Sequence, residues 1–154
     1  MKISRKALAV VTLALTAVIS SNVVLASDTF IQKKSPYGVS ETLDRLEAVL
    51  KKKGITIFAR VDHAAGARKV GQQMTDTQLL IFGNPKMGTP LMNEQRLMGL
   101  DLPMKVLAWK GAGNQTWIAY TSPDELKDRH QLKNERIINK MKKALNGMTN
   151  KAIE

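Results

Sequence analysis

Four groups of residues in this sequence could do chemistry, and most lie in or beside the stretch Leu79 to Trp109, LLIFGNPKMGTPLMNEQRLMGLDLPMKVLAW. The first is a turn that could capture an anion. Asn84, Lys86, Gly88 and Thr89 follow an apolar run, Leu79 to Phe82, so they stand where a buried strand ends. Backbone donors there, with the Lys86 charge, suit an anionic ligand, and Gly83 and Gly88 let it approach the backbone. The same Asn, Pro and Gly could instead only shape a tight crossover. The second group is Asp62, His63, Asp101 and His130, which pairs carboxylates with imidazoles that titrate near neutral pH. Asp62 and His63 are also well placed to start a helix, Asp62 as its cap.

The third group is methionine. Met87, Met92, Met98 and Met104 fall in this one stretch, and thioethers can ligate Cu(I). Their spacing of five or six residues puts them on no single helix face, which favours packing and leaves no metal site expected. The fourth is a basic stripe, Lys133, Arg136, Lys140 and Lys143, at steps of three and four along the last helix. It could meet an anionic membrane surface or an acidic partner, or be a solvated face. The sequence has no G-x-S-x-G, no H-E-x-x-H and no standard phosphate loop, so enzyme chemistry is weakly indicated. No cofactor is expected. Our expectation is one polar pocket, at a sheet edge or dimer interface, lined by Asn84, Lys86, Thr89, Asp101 and Lys105 with Asp62 and His63 nearby. The alternative is an enzyme using Asp62 and His63 with Asp101 or His130 as acid and base.

Composition sets the compartment. Lys2, Arg5 and Lys6, the apolar run Ala7 to Ile19 and the small residues up to Ala26 read as a secretory signal peptide over 1–26. Cleavage near Ala26 leaves one domain, 27–154, in the periplasm or secreted. Losing three basic residues lowers the formal net charge from +11 to +8. Export argues against nucleic acid as the partner of that charge and favours an anionic small molecule or surface. With no Cys, stability must come from packing rather than disulfides.

The elements that must position these residues follow from periodicity. Phe30 to Ser35 is a weak strand. Ser40 should cap a helix whose apolar positions are Leu43, Leu46, Val49 and Leu50, ending at Lys51 to Gly54. Ile55 to Val61 alternates as a strand, with Ile55, Ile57, Ala59 and Val61 on one face. A short helix, Ala64 to Val70, precedes a strand, Thr77 to Phe82, that is apolar on both faces and so belongs centrally in the sheet. The next helix begins at Pro85 and bends at Pro90, or begins only at Pro90. Gly99 ends that segment. Met104 to Lys110 and Gln115 to Thr121 form a hairpin. Ser122, Pro123 and Glu125 then start a helix with a capping box, and a last helix spans Asn134 to Asn146.

Several blocks in this order resemble a DUF302 domain: Asp62 and His63; Phe82 to Lys86 with Gly88, Thr89, Leu91 and Met92; Gly99 to Pro103 with Lys105; and Trp117, Tyr120, Pro123, Arg129 and His130. The resemblance covers about Ser35 to Leu132. It implies an α+β fold, a single two-layer domain with helices packed on a mainly antiparallel sheet of about five strands. It also implies a homodimer. It implies no established activity, so it assigns no catalytic residue.

Overall fold

Alternation in MKVLAWK puts every second side chain on one side of a strand, and Met104, Val106 and Ala108 are accordingly buried. This strand, β4 (Met104–Lys110), is the middle of a five-stranded antiparallel sheet in a computed structural model that describes residues 29–154. The signal-peptide reading lies outside the described residues. On one side of β4 are β5 (Thr116–Thr121) and then the edge strand β1 (Phe30–Ser35). On the other are β3 (Thr77–Gly83) and the edge strand β2 (Thr56–Asp62). β3 is thus an interior strand, one place from the centre.

Two long helices cover the inner face. α1 (Val39–Lys52) buries Leu43, Leu46 and Leu50 at the helical spacing its sequence promised. α6 (Glu135–Ile153) buries Ile138, Met141, Leu145, Met148 and Ala152 and packs against α1. Among the described residues four shorter α-helices link these elements: α2 (His63–Lys69), α3 (Pro85–Glu94) and α4 (Met98–Asp101) between strands, and α5 (Pro123–His130) between β5 and α6. Among the described residues, no helix is long and apolar enough to cross a membrane.

Most expected elements stand within a residue or two, and the departures have physical causes. α1 is capped by Gly38, not Ser40. Ser40 instead accepts Arg60 through its carbonyl (2.9 Å) and hydroxyl (3.1 Å). Arg60 reaches it because a bulge between Ile57 and Ala59 breaks the alternation of β2. The extra residue turns Arg60 toward α1, where it also pairs with Asp44 and Glu47, and leaves Ala59 and Val61 exposed. The capping box of α5 is half made. Ser122 accepts from the Asp124 N–H (3.3 Å), but Glu125 pairs with Arg129. α3 starts at Pro85 and carries Pro90 inside it. The chain then forms α4 across Gly99, where the sequence indicated only an end.

α6 runs seven residues beyond Asn146 because Met148, Thr149 and Ala152 continue its buried face. Lys33 of β1 ties that extension down, donating to Asn146 Oδ1 (2.8 Å), Thr149 Oγ1 (2.8 Å) and Asn150 Oδ1 (2.6 Å). Burial holds the Lys33 pKa below its ordinary value.

Leu80 of β3 is fully buried in this core. Leu80→Ala should cost about 2–5 kcal/mol, read as a lower denaturant midpoint at unchanged slope.

Candidate functional site

Antiparallel pairing decides which loops meet. β3 ends at Gly83 and β4 begins at Met104, and Phe82 pairs with Met104. The turn after β3 and the turn before β4 therefore lie at one end of the sheet. Asp62 pairs with Gln78, at the start of β3, so Asp62 and His63 stand at the opposite end, roughly 20 Å away at the rise of a strand.

Between α3, α6 and the shared strand ends lies a cavity of about 240 Å³. Its floor is apolar. Five methionines line it, Met87, Met92, Met104, Met141 and Met148, together with Phe82, Leu102 and Leu145. Gly83, Asn84, Gly88 and Thr89 also belong to the lining. Asn84 is set by its own role as a cap, its Oδ1 accepting the Lys86 N–H at 2.9 Å. A Cβ on Gly88 would come within 3.2 Å of Leu102 Cδ1, so this glycine keeps α3 close to the far wall.

Behind Leu102 and Pro103 sits a polar cluster. Asp101 Oδ2 lies 2.6 Å from His130 Nε2, and Asp101 Oδ1 accepts from Arg129 at 3.0 Å. Arg129 spans to Glu125, also at 3.0 Å. Lys105 donates to the carbonyls of Asp101 (2.7 Å) and Pro103 (3.1 Å), which flank a cis Leu102–Pro103 bond. Burial alone would raise the Asp101 pKa, but the His130 hydrogen bond and the Arg129 charge outweigh it and hold the carboxyl below its usual value. Because that carboxylate is ionised and can only accept, the hydrogen must sit on His130 Nε2.

The expected single polar pocket is not what these residues form. Asn84, Gly88 and Thr89 line the cavity, but its surface is almost wholly apolar. Asp101 and Lys105 lie at the same sheet end yet are spent on the chain around Pro103. Lys86 is exposed on the first turn of α3. Asp62 caps α2, accepting the Ala65 N–H at 2.7 Å, with His63 exposed beside it. The two are excluded from the site because β2 and β3 run antiparallel. The acid and base alternative gains one close pair, Asp101 with His130, but neither lines the cavity and both Asp101 oxygens are engaged.

On the basic stripe, Lys133, Arg136, Lys140 and Lys143 are all exposed. The Lys133 backbone N–H is also taken by Glu94. The sequence reading missed Met141 and Met148 as cavity residues. Their signal is the apolar face of the last helix, which extends beyond the expected end at Asn146.

The Asp101 charge makes a pH-dependent contribution. Its folded pKa lies below the unfolded one, so stabilisation is complete above the unfolded value, about 3.9, and is lost as pH falls through the folded value. Asp101→Asn should therefore be less stable than the natural chain at pH 7, with the gap closing below about pH 4. Denaturant titrations across that range measure it.

A crystal structure of an uncharacterized conserved DUF302 protein from Bacillus stearothermophilus superposes with a TM-score of 0.73 at 23% identity, covering 80% of this chain and 98% of that one. Over 99 residues the chain is 43% identical to the "Fluoride-specific ion channel FluC 1" of Brucella suis and to the "Fluoride-specific ion channel FluC 2" of Brucella melitensis. That match covers 64% of this chain but only 39% and 37% of those proteins, so the chain spans less than two fifths of their length. The family described as "Domain of unknown function DUF302" matches residues 31–148, and the chain belongs to that family.

Proposed function

We propose that this protein is an exported, single-domain binding module that takes a small apolar ligand, or the apolar part of a larger one, into its methionine-lined cavity. The observation that carries this reading is the cavity itself, about 240 Å³ with a floor of methionine, leucine and phenylalanine. An engineered apolar cavity of about 150 Å³ stays dry and binds benzene. Unbranched thioether side chains suit the task, because they re-pack around ligands of different shape at low cost. Binding, not catalysis, fits a pocket whose lining includes no His, Asp, Glu or Lys.

The outer sheet face favours a second, compatible reading, a homodimer. Leu79, Ile81, Leu107, Trp109 and Trp117 are only half-buried and lie outside the core cluster. They form one surface across β3, β4 and β5, with Leu79 opposite Leu107 and Trp109 stacked on Trp117. Contiguous apolar surface of this kind marks protein contact.

Two measurements test these readings. Naphthalene should bind saturably, by fluorescence titration, and Ala144→Phe, which fills the cavity from α6, should abolish binding while the unfolding midpoint is retained. Absence of saturable binding to the natural chain sinks the cavity reading. Leu107→Glu should turn a sedimenting dimer into a monomer with an unchanged circular dichroism spectrum; a natural chain already monomeric at high micromolar concentration removes the dimer.

A further inference from the structure

We infer that the ligand is a medium-chain carboxylate, its alkyl tail among the methionines and its carboxylate at Lys86 and Thr89. The inference rests on the cavity reading above and adds the chemistry of the mouth. Of the lining residues, Phe58, Pro85 and Thr89 are the exposed ones, so the cavity opens between β2 and the first turns of α3. Lys86 follows Pro85 and stands three residues before Thr89, so the two share a helix face. Lys140 lies one turn before Ala144, a lining residue of α6.

Two cations next to this lining along α3 and α6 are unpaired. The Lys86 and Lys140 side chains are exposed and have no hydrogen-bond or ion-pair partner among the described residues. The acidic residues next in sequence to the lining are already engaged: Asp101 holds His130 and Arg129, and Glu94 takes the Lys133 N–H. Two uncommitted cations thus neighbour the apolar lining along their helices, Lys86 beside Pro85 and Lys140 one turn before Ala144, and Thr89 belongs to the lining itself. An amphipathic anion satisfies both parts, whereas a sugar or nucleotide would bury polar groups against methionine at a cost. The apolar floor suits an unbranched alkyl tail, and octanoate, whose tail continues beyond the carboxylate carbon as a plain alkyl chain, is the probe.

Isothermal titration of the full chain with octanoate and with 1-octanol separates the two levels of argument. Octanoate should bind about tenfold more tightly, the scale of one charge-assisted hydrogen bond, and the advantage should shrink with added salt. Lys86→Ala, which removes an exposed and unpartnered side chain, should erase the advantage and leave octanol binding unchanged; Lys86→Arg should keep it. Equal binding of the two ligands, or no effect of Lys86→Ala, overturns the carboxylate while the cavity reading stands. If neither ligand binds, the cavity reading itself falls. Binding to anionic phosphatidylglycerol vesicles without octanoate binding would assign the lysines to a lipid surface and likewise overturn the proposal.

Discussion

One carboxylate organises the end of the sheet where β3 stops and β4 begins. Asp101 ends α4, and its two oxygens are claimed by consecutive residues, Arg129 and His130, at the end of α5. Its backbone carbonyl is held by Lys105 from β4. The start of β4 and the distant end of α5 are therefore both fastened to one residue of α4, and the chain beside it, Leu102 and Pro103, forms a wall of the cavity. A carboxylate that accepts from a guanidinium and a ring N–H is stabilised in the ionised form, so the fastening is at full strength at neutral pH. The polar residues support the wall, and the apolar residues line the cavity.

This division changes the meaning of the most distinctive sequence blocks. Asp101, Lys105, Arg129 and His130 have the residue types of an active site, and they do come together. Their hydrogen bonds are directed at one another and at the backbone, however, and not at the cavity. Asp62 is a second case of a reactive-looking residue occupied by structure, as the cap of α2. Asn84 combines the roles, capping α3 while also contributing to the lining.

Much of the fold was legible in the sequence because periodicity reports burial directly. The leucines of α1, the alternation of β4 and the hairpin around Gly113 each specify their element locally. What escaped depends on contacts between distant residues. The bulge in β2 is invisible to alternation, because only the partner strand shows that one residue is extra. The exchange of Glu125 from its capping role to Arg129 reflects a competition between two partners within one turn. The loops that carry Asn84 and Asp101 stand at strand ends as the sequence indicates, but the character of the space between them is set by Met141 and Met148, far along the chain on α6. A local reading of polar loops therefore suggested a polar pocket where the opposing helix supplies an apolar one.

The bulge in β2 has a consequence at the margins of the sheet. An edge strand with regular pleating offers a free row of amides and carbonyls to any other extended chain. Here one margin is bent by its extra residue and anchored through Arg60 to α1, and the other, β1, carries Lys33 and Lys34 along its short length. Neither border makes a good template for a sixth strand. Growth of the sheet into fibrils or strand-swapped chains is opposed at both ends.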